Sequence, residues 1–205
     1  MQLEAKHIGF RYRNGPWLFR DMNLTVSPGE IVGIQGPSGQ GKTTFCRILA
    51  GFEQPVEGTV HFNGIPVAKR GYHPVQLVLQ HPEKAVNSRW KMDKVLREGW
   101  EPDQQVMDAF GIEQEWMTRW PSELSGGELQ RFCVVRALGP NTRFLIADEM
   151  TTMLDAITQA QIWQAVLEIA KERKMGMIVV SHEEKLIERL CDRVIELGQF
   201  QSKKA

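Results

Sequence analysis

The sequence has no surplus of either charge: its 205 residues carry 25 Lys and Arg against 25 Asp and Glu. A chain whose main partner is nucleic acid usually shows a basic excess, so none is expected here beyond a local basic face. Cysteine is scarce as well. The three thiols, Cys46, Cys133 and Cys191, lie far apart and form no Cys-x-x-Cys pair. That excludes a disulfide framework or a four-thiolate zinc site, and fits a reducing cytosol. No apolar run approaches the roughly 18 residues that cross a bilayer. The opening MQLEAKHIGF also lacks the apolar core of a secretion signal. A soluble intracellular chain is expected. The rest of the composition is ordinary, with 42% hydrophobic and 24% charged residues, which excludes disorder and collagen-like repeats. This length holds one sizeable domain or two small ones.

Ile8, Phe10 and Tyr12 alternate with polar or small residues, which predicts a half-buried strand before the turn at Asn14-Gly15-Pro16. Leu24 and Val26 predict a second strand, closed by Ser27-Pro28-Gly29-Glu30, and Ile31, Val32 and Ile34 a short buried one. That strand runs into a glycine-rich loop, after which Thr44 to Ala50 reads as a helix. Strands are also expected at Glu57 to Phe62, ended by Asn63-Gly64, and at Val75 to Leu79. From Gln80 to Pro121 β-branched residues thin out and tryptophans appear at 90, 100, 116 and 120. Two or three short helices are expected there, as an insert. Those tryptophans read as helix-packing residues, with one or two able to line a docking groove. Strand–helix alternation then resumes. Helices are expected at Gly127 to Leu138, Ala156 to Lys171 and Glu183 to Cys191, and strands at Arg143 to Ala147, Met177 to Val180 and Arg193 to Leu197. The tail QSKKA is expected to fray.

The most informative residues are Gly36-Pro37-Ser38-Gly39-Gln40-Gly41-Lys42-Thr43, between a strand and a helix. Gly36, Gly39 and Gly41 let backbone N–H groups curl around phosphate oxygens, and the following helix aims its positive end at the same anion. Lys42 can reach the β- and γ-phosphates, and the Thr43 hydroxyl is a hard oxygen suited to Mg²⁺. Asp148 and Glu149 stand at the end of an apolar strand, the rim where α/β proteins bind ligands. Asp148 can hold Mg²⁺ through water, and Glu149 can orient a water or accept its proton.

Leu124-Ser125-Gly126-Gly127-Glu128-Leu129-Gln130-Arg131 resembles the signature motif of ATP-binding-cassette (ABC) ATPases. The resemblance covers almost the whole chain, from about residue 3 to 198. It makes Gln80 the Q-loop glutamine and a Mg²⁺ ligand, Asp148 the Walker B aspartate, and Glu149 the catalytic glutamate. Asp155 becomes the D-loop aspartate, His182 the switch histidine and Tyr12 the A-loop aromatic. Ser38 and Thr44 join the glycine-rich loop in holding ATP. Ser125, Gly126 and Gly127 put hydroxyl and N–H donors at a positive helix end; in the family they cap the γ-phosphate bound by a partner subunit. Tyr12 could stack on adenine or pack with Ile8 and Phe10. His182 could sense the γ-phosphate or cap the next helix, where Ser181 is the better cap.

The fold implied is α/β, a P-loop NTPase core with a mostly parallel sheet, flanking helices, an antiparallel N-terminal sheet and a short helical insert. One ABC ATPase domain is expected over 1–205, with a RecA-like core at about 1–80 and 135–200 and a helical subdomain at about 81–134. Within the family, the run Val78 to Trp90 is similar to the Q-loop region of oligopeptide, dipeptide and nickel importers, as are Glu128 to Arg131 and Thr158 to Ile162. Met150 stands where a proline is usual, Thr151 to Leu154 replace a D-loop of small residues, and the chain stops soon after Leu197. These departures remove no catalytic group.

The resemblance implies ATP and Mg²⁺, a second cassette (identical or related), and transmembrane permease subunits. It implies no nucleic acid, and membrane contact only through the permease, at the cytoplasmic face. The alternative is a cassette ATPase working without a permease, in a soluble multiprotein complex.

Overall fold

The computed structural model describes residues 1–67 and 73–197; the tail QSKKA lies outside the described residues. Four strands form an antiparallel sheet: β1 (Leu3–Phe10), β2 (Phe19–Val26), β4 (Glu57–Phe62) and β5 (Ile65–Pro66), in the order β2-β1-β4-β5. Five more form a parallel sheet: β3 (Ile31–Gln35), β6 (Val75–Val78), β7 (Phe144–Asp148), β8 (Gly176–Val180) and β9 (Arg193–Glu196), in the order β6-β7-β8-β3-β9. Every residue of β7 and of β8 is buried, as expected for parallel strands covered on both faces. Their register aligns Asp148 with Val180 and Ile34 with Val180. The residues after β3, β6, β7 and β8 therefore emerge along one edge of the sheet.

Helix α1 (Lys42–Leu49) buries Phe45, Cys46, Ile48 and Leu49 between the two sheets. The insert contains α2 (Met92–Leu96), α3 (Gln104–Ala109) and single 3-10 turns at Pro82–Lys84, Gln114–Thr118 and Pro121–Glu123. Helix α4 (Gly126–Ala137) carries Leu129, Phe132 and Val135 into one apolar cluster with Met92, Leu96 and Phe110. Helices α5 (Ala156–Arg173) and α6 (Glu184–Leu190) lead into β8 and β9.

Most expected elements are present, with ends shifted by a residue or two. Two details differ. Tyr12 is outside β1: the strand ends at Phe10 because a turn follows, with Gly15 N donating to Tyr12 O and Arg13 at φ 53°. The short strand Ile65–Pro66, which pairs with His61 and Phe62, was not anticipated; two residues carry no periodicity. Among the tryptophans, Trp116 is buried against Phe132, at 6.5 Å between ring centres, and Trp100 donates its indole N–H to Val135 O at 2.9 Å. Both serve packing.

Candidate functional site

A cleft of about 440 Å³ opens at the carboxyl edge of the parallel sheet, within the size range of ligand sites. Its floor is the glycine-rich loop between β3 and α1. Gly41 is the cap residue of α1 at φ 93°, and a Cβ there would lie 2.5 Å from Leu18 Cδ2. Only glycine gives the loop both this left-handed turn and this approach. Gly39, at φ 81°, faces open space. Ser38, Thr43 and Thr44 line the same cleft, whereas Gly36 does not. The Gly36 carbonyl instead accepts from Lys42 Nζ at 2.7 Å, and the Pro37 carbonyl accepts from it at 3.2 Å. Lys42 is buried, so the loop's own oxygens hold its charge in a site that faces the cleft.

Glu149 occupies the opposite wall at the left-handed φ of 52° that turns the chain off β7. Its carboxylate is gripped from both sides. Gln80 Nε2 donates to Oε2 at 3.0 Å, and His182 Nε2 lies 3.0 Å from Oε1. These three residues come from the ends of β6, β7 and β8, so the sheet order brings them together although Gln80 and Glu149 are 69 positions apart in sequence. A carboxylate fixed in this way beside an anion-binding loop can take a proton from a bound water. Neither His182 nor Ser181 caps α6, whose cap residue is Glu183 and has no side-chain cap bond; Ser181 Oγ accepts from Glu183 N at 3.0 Å, ahead of the helix.

Asp148 sits behind the cleft, 2% exposed, with Oδ1 lacking any partner. Burial pushes its carboxyl up, opposed first by the Thr43 hydroxyl. Tyr12 guards the open end, packing edge-on against Phe10 at 5.0 Å and sharing a hydrogen bond with Thr44 Oγ1 at 2.9 Å. Tyr12 as a whole is 59% exposed. Leu18 also lines the cleft and was not anticipated; nothing local in its sequence marks it.

A second hollow of about 270 Å³ contains Ser125, Gly127 and Asp155, and shares no lining residue with the first. Ser125 and Glu128 form a reciprocal cap on α4: Ser125 Oγ accepts from Glu128 N at 3.3 Å and Ser125 N donates to Glu128 Oε2 at 2.6 Å. Gly126 has open space where its Cβ would be. Asp155 caps α5, accepting from Ile157 N and Thr158 N at 3.0 Å, and the Thr158 N–H leads in holding its carboxyl below the usual range. Met150 and Thr151 have structural roles. Met150 is buried in the apolar core, and Thr151 Oγ1 accepts from Trp163 Nε1 at 3.1 Å and Gln159 Nε2 at 3.2 Å.

A larger hollow, about 620 Å³, is elsewhere, between α1, β6 and α4. It has no phosphate loop and none of the residues above.

A family model described as ABC transporter matches residues 19–152. The chain is also 34% identical over 212 residues to the nickel import system ATP-binding protein NikE of Staphylococcus aureus strain RF122 / ET3-1, covering 95% of this chain and 86% of that protein. The chain belongs to the ABC transporter family. This cassette binds ATP and is an ATPase. The nickel import ATP-binding protein NikE of Rhodospirillum rubrum is likewise 34% identical over 200 residues, covering 87% of the cassette and 72% of that protein. Among solved structures, a dimeric bacterial ABC transporter cassette, MJ0796, superposes with a TM-score of 0.79 at 23% identity, over 95% of this chain and 93% of that one. The cbiO1 subunit of Clostridium perfringens superposes at 0.76 and 21% identity, over 95% and 83%. These share the fold. No described helix of the cassette is long and apolar enough to cross a membrane.

Proposed function

We propose that this cassette is the ATP-hydrolysing subunit of an importer of the nickel and peptide class, working at the cytoplasmic face of the membrane. The single observation that carries its chemistry is the Glu149 carboxylate held between Gln80 and His182 above the phosphate loop. The glycine-rich loop, Lys42, Thr43 and Thr44 bind the phosphates, and Tyr12 stacks on the base. Glu149 accepts a proton from water as the water oxygen bonds to the γ-phosphorus and the bond to the bridging oxygen of ADP breaks. Gln80 and His182 keep the carboxylate aimed.

The residues present fit a Mg²⁺ ion. Asp148 offers a buried oxygen without a partner, Thr43 a hydroxyl and Gln80 an amide oxygen, all hard donors. No cluster of acids, histidines and cysteines able to cage a metal exists among the described residues, so such an ion would share its shell with phosphate oxygens and water. When bound, it would neutralise phosphate charge.

The hollow of Ser125, Gly127 and Asp155, together with the neighbouring Gly126, serves a nucleotide held by another chain. Two cassettes thus enclose two ATP molecules head to tail, and hydrolysis lets them part. The first hollow belongs to the core at 1–80 and 135–200, whereas the second lies between helical subdomain 81–134, which supplies Ser125 and Gly127, and that core, which supplies Asp155. Because one chain holds both halves, self-association is the expected state, with pairing to a related cassette as the alternative. The import class rests on similarity to the two NikE proteins along most of the chain. The 620 Å³ hollow is where a permease segment seats, beside the exposed Phe52. Affinity purification from detergent-solubilised native membranes tests this. Polytopic membrane proteins should accompany the cassette; recovery with soluble proteins alone contradicts the importer reading.

A further inference from the structure

Along one face of α4, Gln130, Cys133 and Arg136 each direct a polar group at a backbone carbonyl of the segment after β6. Gln130 Nε2 donates to Leu79 O at 3.2 Å, the Cys133 thiol lies 3.8 Å from Pro82 O, and Arg136 Nη2 donates to Ala85 O at 2.7 Å. Donors and acceptors both recur at every third residue, so helix and segment run in step. Burial pushes the Cys133 thiol up to about 11, so it keeps the proton it donates. Gln130 is 2% exposed and its Oε1 has no partner. An apolar side chain of equal length would fill this space without leaving a buried oxygen unpaired. The donated bond is what the amide adds.

The first rung holds the residue immediately before Gln80, whose own amide donates to Glu149. At the far end, Arg136 Nη1 pairs with Glu98 at 3.0 Å, tying the ladder to the rest of the insert. Leu79, Ala85, Cys133 and Arg136 also line the 620 Å³ hollow, so the ladder is part of its wall.

We infer that Gln130, Cys133 and Arg136 are positioning residues that fasten the Gln80 segment to the helix opened by Ser125. Movement of α4, or pressure on the hollow's wall, then changes how Gln80 holds Glu149. The inference rests on the roles proposed above for Gln80 and Glu149.

Gln130→Met in the full chain keeps length and bulk and removes the donor. Its kcat for Mg-ATP should fall about three- to tenfold, the equivalent of one hydrogen bond, while KM stays within about twofold. Amide hydrogen exchange over residues 79–85 should quicken at an unchanged or raised thermal midpoint. Arg136→Met should show the same split, and Arg136→Lys, which keeps a donor, should recover most of the lost kcat. If Gln130→Met fails to fold, the Arg136 pair decides. Wild-type kcat and exchange in the Met variants would overturn the ladder, as would losses of kcat and KM that merely follow a lowered midpoint. Glu149→Gln run in parallel separates the two failures. If it is inactive while the Met variants are normal, only the ladder falls; if it retains full turnover, the roles beneath the ladder fall as well.

Discussion

The two hollows of this chain use the same backbone chemistry and reach opposite ends. The phosphate-loop cleft is backed by four parallel strand ends, encloses a buried lysine and leaves a buried carboxylate oxygen unpaired. The Ser125 hollow is smaller, and its polar groups are largely satisfied by their own helices through two N-terminal caps. Met153, which lines it, and Ile157, two residues beyond Asp155, are 70% and 73% exposed. The first carries unsatisfied groups that call for a ligand. The second is satisfied as it stands, and the function proposed for it needs another surface. A helix start is therefore not a site by sequence alone; what faces it decides.

The sharpest way to break this comparison is Glu149→Gln, which keeps the shape of the first cleft and removes its proton acceptor. Steady-state ATPase should fall by about a hundredfold or more, while ATP binding measured by calorimetry persists. Next in size is Lys42→Ala. Loss of its charged contact should raise the Kd for ATP about ten- to a hundredfold, the equivalent of one charge-assisted hydrogen bond. Ser125→Arg should do the reverse of Lys42→Ala. Monomer affinity should stay within about twofold, since the two hollows are separate, while ATP-driven association seen by sedimentation is lost.

The smallest effect is on stability. Because burial raises the Asp148 carboxyl, its ionised form is disfavoured in the folded chain. That cost is present in full above the raised value and fades as pH falls to the ordinary carboxylate range. Asp148→Asn should therefore raise the thermal midpoint of the nucleotide-free chain, by about 2–4 °C for each kcal/mol recovered. The gain should be largest near neutral pH and shrink in acid, while ATPase activity falls.

Much of the first cleft was legible in the sequence, because glycine spacing, Lys42 and the apolar strand ending in Asp148 each state a local physical requirement. The grip of Gln80 and His182 on Glu149 was not, since it depends on the strand order β6-β7-β8 that no local pattern encodes. Tyr12 was misplaced on a strand face, as a two-residue period cannot show that a turn has begun. The α4 ladder was hidden for a related reason. Gln130 and Arg136 look like ordinary polar helix residues until the segment they hold is in place.

The claim that the two hollows complete one another across two chains is tested most directly by mixing. Lys42→Ala and Ser125→Arg chains are each expected to be nearly inactive alone. Paired head to tail, they combine both lesions in one site and leave the other site intact. The expected result is ATPase activity in the equimolar mixture well above the sum of the separate variants, rising with protein concentration. Activity no greater than that sum, with both variants folded and Ser125→Arg still binding ATP, would contradict the shared site.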